Sequence, residues 1–269
     1  MYGKPRVPLV LVHDGGGTSF NYHLLDPIDR PLWGMENARL HAGGWWEGGI
    51  AQMAAHYIEL IGKVMPRGGD IILGGWSLGG HLSLEMAHQI ATAGRTRNNG
   101  ADSADSSGAS TPAGPRFRVV GMIFIDTVFP KDLKELRGPL PDDPVFLSAE
   151  ESKAMKLKDK AGVNMTHARM MVQHWKLPRW KEEGLKVPPT ILFRAKEFVA
   201  GGTDQKSFID YTREFRLLGW DEYSEENGNF IKDVIEVEGN HFNIFDYKNL
   251  DDVTKKIADA ADIFDPPDF

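Results

Sequence analysis

The chain has 269 residues, of which 41% are hydrophobic and 26% are charged. This composition is typical of globular proteins and excludes a fibrous chain or one that is disordered throughout. Cysteine is absent, which excludes a disulfide framework, a thiolate nucleophile and a cysteine-ligated metal. The formal net charge of −7 argues against nucleic acid as a partner, because phosphate binding needs an excess of Lys and Arg. No export signal and no membrane-spanning apolar run is found, so a soluble, cytoplasmic protein is expected.

Strands and helices alternate along the chain in the order typical of a doubly wound α/β fold. Short apolar runs at residues 8–13, 71–73, 119–125, 189–193 and 234–237 predict buried strands. Apolar residues at helical spacing predict helices at 50–64, after residue 80 and at 250–264. We therefore predict a single domain over residues 1–269 with a mostly parallel sheet.

Two segments interrupt this alternation. Residues 94–115 are rich in Gly, Ser, Asp and Asn, which predicts a disordered surface insertion. Residues 131–187 are too many for a simple connection between two strands, and the sequence favours helices at 149–160 and 163–176. We interpret this second insertion as a helical lid over a site.

A GxSxG motif marks the candidate nucleophile. Residues 75–79 read GWSLG and lie between the predicted strand at 71–73 and a helix. That context is the sharp strand-to-helix turn that exposes a serine above a sheet edge. The pattern predicts Ser77 as a nucleophile, and a glycine turn without chemistry is the alternative.

A serine needs a base and an acid that orients it. His241 follows the last predicted strand and is flanked by the turn formers Gly239 and Asn240, so we predict it as the base. Asp126 directly follows the strand at 119–125 and is the favoured acid, with Asp204 and Glu197 as alternatives. The order of serine, acid and histidine is the one found in α/β-hydrolases.

Backbone amides are expected to hold the oxyanion of the tetrahedral intermediate. The amide of Leu78, directly after the nucleophile, is one predicted donor, and Gly16 in the glycine turn at residues 15–17 is the other. This turn does not have the GxGxxG or GxxxxGK spacing of nucleotide sites, and no HExxH metal motif is present. We expect no cofactor and no metal.

Four segments together resemble the thioesterase domains that end polyketide synthases and nonribosomal peptide synthetases, particularly fungal ones. They read LVLVHDGGGTSF, IILGGWSLGGHLSLEMA, VVGMIFIDT and EVEGNHFNIF, and they occur in the family's order. The resemblance implies an α/β-hydrolase fold, a lid after the acid, and support for Asp126 over Asp204. The loop HDGGG departs from the His-Pro that is common in the family, which weakens the assignment of Gly16.

The resemblance also implies a substrate carried as a thioester on the phosphopantetheine arm of an acyl or peptidyl carrier protein. Carrier proteins are acidic, and residues 153–196 contain eleven basic residues against three acids; a solvated helix surface is the alternative interpretation. The methionines and Trp175 of this region would form either the lid's underside or ordinary packing on the core. Release by hydrolysis and release by cyclisation both remain open. A carboxylesterase or lipase acting on small esters and a noncatalytic binding module are the alternative functions.

Overall fold

A six-stranded parallel sheet forms the centre of the protein. The structure is a computed structural model that describes residues 5–101, 116–130, 140–199 and 207–267. Neighbouring strands follow the order β2-β1-β3-β4-β5-β6, and every pair is parallel. The strands are β1 (Leu9–Val12), β2 (Leu32–Met35), β3 (Gly69–Trp76), β4 (Phe117–Ile125), β5 (Thr190–Ala195) and β6 (Ile231–Val237).

Helices cover both faces of this sheet. They are α1 (Gly49–Val64), α2 (Leu78–Ala101), α3 (Ala149–Ala154), α4 (Leu157–His174), α5 (Asp221–Glu226) and α6 (Leu250–Phe264). Alternate residues of each strand point to opposite faces. Val10 and Val12 therefore belong to the core that contains α1 and α2, whereas Leu9 and Leu11 belong to the core that contains α6. The predicted doubly wound α/β architecture is confirmed.

All five predicted strands are present, and the structure adds β2. This sixth strand has only four residues, includes Gly34, and lies at the sheet edge, where its residues are only partly buried. The strand reads LWGM, which is apolar apart from Gly34 but only four residues long and directly after Pro31, so it is too short to predict from its pattern. Its sequence therefore carried little signal.

The two insertions differ in part from the sequence predictions. Helix α2 continues to Ala101, so the first residues of the predicted surface insertion at 94–115 are helical, and residues 102–115 lie outside the described residues. The predicted break at 161–162 was also wrong. The second insertion bends instead at residues 155–156, and α4 passes through Gly162, where a Cβ would meet nothing within 4 Å. An exposed glycine lowers helix stability by only about 1 kcal/mol, so the surrounding helix tolerates it.

A capping box fixes the start of α3. The side chain of Ser148 accepts a hydrogen bond from the amide of Glu151, and the carboxylate of Glu151 accepts one from the amide of Ser148. Residues 131–139 of this insertion lie outside the described residues. Across the described ranges, none of the helices combines the length and the hydropathy that a membrane crossing requires.

Candidate active site

Ser77 is the only residue between β3 and α2, and its backbone lies in the left-handed region with φ of 56°. Few residues other than glycine adopt this conformation, and holding one there usually marks a functional site. The flanking glycines make the turn possible. A Cβ on Gly75 would lie 2.4 Å from the carbonyl oxygen of Val12, and one on Gly79 would lie 2.2 Å from the same oxygen. The GxSxG spacing is therefore required by the close approach of the end of β1.

His241 reaches Ser77 from the loop after β6. Its Nε2 lies 3.1 Å from Ser77 Oγ, although the two residues are 164 positions apart. The loop is held by its own amides: Asn243 Oδ1 accepts from the amide of Asn240, and Asn240 Oδ1 accepts from the amide of Phe242. His241 is only 2% exposed, so its imidazole has little freedom to turn away.

Asp126 contacts the other nitrogen of this imidazole. Its Oδ2 lies 2.8 Å from His241 Nδ1. The residue directly follows β4, is fully buried and has φ of 47°. Its Oδ1 accepts from the amide of Ala195 at 2.8 Å, at the end of the neighbouring strand β5. Of the alternative acids, Glu197 is exposed and Asp204 lies outside the described residues.

Arg213 is a site residue that sequence reasoning missed. Its guanidinium forms a two-point contact with Asp126, with Nη2 2.6 Å from Oδ2 and Nη1 donating to Oδ1. Burial alone would raise the pKa of Asp126, but hydrogen bonds and positive charge from His241 and Arg213 outweigh it and lower that pKa. Asp126 is therefore a carboxylate at neutral pH. No motif surrounds Arg213, so the sequence offered no signal for it.

The glycine turn after β1 forms a hydrogen bond with the side chain of Asp14. The amide of Gly16 donates to Asp14 Oδ1 at 3.0 Å, and Gly16 is not among the residues that line the cavity at Ser77. The Gly16 amide therefore already has an acceptor in this structure, and its oxyanion role stays a prediction. Gly15 does line the cavity, as does Leu78 at the start of α2.

Asp14 brings a second carboxyl group to the same place. It lines the cavity beside His241, and burial raises its pKa to about 6, although the Gly16 amide and the charge of His241 oppose that rise. His13 directly precedes Asp14 in the sequence and is buried. Burial lowers the pKa of His13 to about 4, and its Nε2 lies 2.6 Å from the hydroxyl of Tyr57.

The cavity above Ser77 has a volume of about 200 Å³ and is lined mainly by apolar side chains. Helix α4 of the second insertion forms one wall, and its Met165 Cγ lies 3.6 Å from the position of a Cβ on Gly15. Met170 and Met171, by contrast, are buried. His81 of α2 also lines the cavity, and its Nε2 donates to the carbonyl of Val128 at 2.9 Å. Within the described part of the chain, no cluster of His, Asp and Glu could hold a metal ion.

Comparisons with known proteins identify similar thioesterases. The family described as "Thioesterase domain" matches residues 7–99. "Thioesterase frbE" of Dothideomycetidae sp. (strain 11243) is 38% identical, and the match covers 98% of this chain and 92% of the relative. The "Nonribosomal peptide synthetase imqB" of Aspergillus flavus is 30% identical over 96% of this chain, which corresponds to 8% of that much longer protein.

Solved structures show the same fold. The NocB thioesterase domain in covalent complex with a fluorophosphonate nocardicin G analogue has a TM-score of 0.59 and 23% identity. The match covers 94% of each chain. Because the curated relative matches at 38% identity over nearly its whole length, the protein belongs to the thioesterase family with an α/β-hydrolase fold, in a fungal group related to nonribosomal peptide and polyketide synthases.

Proposed function

We propose that this thioesterase releases an acyl or peptidyl chain from the phosphopantetheine thioester of a carrier protein through an acyl-serine intermediate. The single observation that carries this proposal is the continuous contact from Ser77 Oγ through His241 to Asp126, with distances of 3.1 and 2.8 Å. It supports a nucleophile, a base and an orienting acid, in that order.

The chemical steps follow from this contact. His241 Nδ1–H donates to the carboxylate of Asp126, which leaves Nε2 free to take the proton of the Ser77 hydroxyl. Oγ attacks the thioester carbonyl, and the amides of Leu78 and Gly15 hold the oxyanion. The C–S bond then breaks, the pantetheine sulfur takes the proton from the imidazolium, and the acyl group stays on Ser77. A second nucleophile gives up its proton to His241 and attacks the ester carbonyl. The bond between the acyl carbon and Oγ then breaks, His241 returns the proton to Oγ, and the product leaves.

The nature of the second nucleophile depends on what the cavity admits. Water yields a carboxylic acid, and a hydroxyl or amine of the acyl chain itself yields a ring. The mainly apolar lining and the position of α4 support an acyl chain held away from bulk water.

An exposed group of lysines supports an acidic carrier protein as the partner. Six lysines of the basic stretch are exposed and, among the described residues, form no salt bridge: Lys153, Lys156, Lys158, Lys176, Lys181 and Lys186. Elsewhere in the stretch, Arg194 pairs with Glu236 and Lys196 pairs with Glu238. The unpaired lysines supply an electropositive surface that speeds association with an acidic protein.

Charge reversal tests this surface. We expect the double variant K156E/K158E to raise KM for an acyl-loaded carrier about 10-fold at low salt, and to leave turnover of a small pantetheine thioester unchanged. R67E is a matched control, because Arg67 is exposed near the start of β3, away from the basic stretch in the sequence. An equal effect of both variants on the carrier reaction would contradict this docking surface.

Intact-mass analysis after mixing the protein with acyl-loaded carrier protein tests the reaction itself. We expect a mass increase equal to the acyl group on the wild type, none on S77A, and release of free product with time. Comparison of the pantetheine thioester with the matched oxygen ester completes the test. A clear preference for the oxygen ester would favour an ordinary esterase and overturn the proposal.

A further inference from the structure

Behind the Ser77, His241 and Asp126 contacts lies a second layer of buried charge. The side chain of Arg213 is 0% exposed, and that of Asp210 is 1% exposed. Arg213 Nε lies 3.3 Å from Asp210 Oδ1, while Asp210 Oδ2 accepts from the amide of Val199 at 2.7 Å. The charges therefore alternate inward from the imidazole: negative on Asp126, positive on Arg213 and negative on Asp210.

Stability alone does not account for this arrangement. Removing two charges from water has a large desolvation penalty, and replacing a buried ion pair by apolar groups is often neutral or stabilising. The pair is instead attached to Asp126, whose backbone has the unusual φ of 47°. A guanidinium that donates to both carboxylate oxygens fixes the plane of that carboxylate, which a single point contact does not.

We propose that Arg213 is a positioning residue that fixes the carboxylate of Asp126 and limits how strongly this carboxylate favours a proton on His241. This inference rests on the proposed function, because it assigns His241 as the base for Ser77. Arg213 acts through Asp126 and does not touch the reacting atoms.

The charges around His241 either favour or oppose its protonation. Charged groups lie around His241 on several elements: Asp126 with Arg213 and Asp210 behind it, and Asp14 from the loop after β1. Arg169 of α4 lines the same cavity and is left unchanged in all variants below. Both Asp126 and Asp14 favour the imidazolium, and Arg213 opposes it. Asp210 partly cancels Arg213 but lies farther from the imidazole. Neutral His241 is the form that can accept the serine proton, so Arg213 extends activity to lower pH.

Three variants separate the charge of Arg213 from its geometry. Each variant is compared by the acid-side midpoint of its pH–rate profile, the pH at which the rate of Ser77 labelling falls to half of its plateau. D210N removes the charge that opposes Arg213, so this midpoint should move to lower pH. D210N/R213M removes the positive charge without leaving Asp210 ionised and unpaired, so the midpoint should move up by about one pH unit. R213K keeps the charge but loses the two-point contact. It should keep the wild-type midpoint, while the rate at the plateau falls about 10-fold.

The measurement is the rate at which a serine-directed fluorophosphonate labels Ser77, followed by intact mass from pH 4 to 9. This readout needs no thioester, so failure of the thioesterase proposal would appear as labelling without carrier turnover and would leave this test intact. R30M is the matched control, since the side chain of Arg30 is also 0% exposed and pairs with Asp262 and Asp265 away from the site. It should lower thermal stability and leave the midpoint unchanged.

Two results would overturn the proposal. One is a common midpoint for the wild type, D210N and D210N/R213M; the other is a shift of D210N to higher pH. If the double variant does not fold, D210N alone decides, because asparagine has the same shape as aspartate and still accepts from the Val199 amide.

Discussion

Replacing Asp14 by asparagine should stabilise the protein at neutral and alkaline pH and leave its stability in acid unchanged. Burial beside the cavity raises the pKa of Asp14 from 3.8 to about 6. Asparagine keeps the shape and an oxygen that can accept from the Gly16 amide, but it carries no charge at any pH. The substitution therefore isolates the effect of burying the charge.

The magnitude follows from linkage between ionisation and folding. The folded protein holds the Asp14 proton more tightly than the unfolded chain, so this group's contribution to stability is full below pH 3.8 and is lost as the pH rises through about 6. A tenfold difference in proton affinity between the two states corresponds to about 1.36 kcal/mol. The rise from 3.8 to about 6 therefore sets an upper limit of about 3 kcal/mol on the gain of D14N at pH 8, and the gain should vanish near pH 4.

Urea denaturation of both proteins from pH 4 to 8 measures this difference in unfolding free energy. D142N is a suitable control, because Asp142 is exposed and its replacement should give a difference that does not change with pH. Two results would contradict a buried, charged Asp14. One is a difference in unfolding free energy between D14N and the wild type that does not change with pH. The other is a D14N variant that becomes less stable relative to the wild type as the pH rises.

Two further substitutions test the turn and the acid. D126N should lower kcat by about 10⁴-fold, because the amide no longer orients the imidazole or stabilises the imidazolium. It should also destabilise the protein, by at most about 3–5 kcal/mol, because Asp210 is then the one carboxylate left to pair with buried Arg213. Retention of most activity in a steady-state assay would exclude Asp126 as the acid. G79A should disrupt the turn, because the new Cβ would lie 2.2 Å from Val12 O, whereas G94A on the same helix meets nothing within 4 Å and should stabilise α2 by about 0.5–1 kcal/mol. Equal melting temperatures for G79A and G94A would contradict the steric argument for the motif.

Local patterns of the sequence were sufficient for most of the fold and for the three central side chains. Buried parallel strands appear as continuous apolar runs. The strand, the GxSxG turn and the first turns of the helix after it together occupy about 20 residues, so a local pattern reveals them. The serine, acid and histidine were identifiable because each directly follows a strand or sits in a short turn beyond one. Their predicted proximity agrees with the geometry of Ser77, Asp126 and His241.

The remaining features depend on contacts between distant segments, which no local pattern records. Arg213 meets Asp126 across 87 positions, and nothing in its neighbourhood distinguishes it from a surface arginine. The carboxylate of Asp14 accepts from the Gly16 amide, a contact that the sequence HDGGG does not record. The bend at 155–156 consists of two residues with extended backbone, Met155 with ψ of 141° and Lys156 with ψ of 152°, between α3 and the helix α4 that lines the cavity. The sequence by itself was sufficient to predict five of the six described strands and the proximity of Ser77, Asp126 and His241. Tertiary structure alone decided that Arg213 contacts Asp126 and that Asp14 accepts from the Gly16 amide, because side-chain direction and burial are set by the whole packed chain.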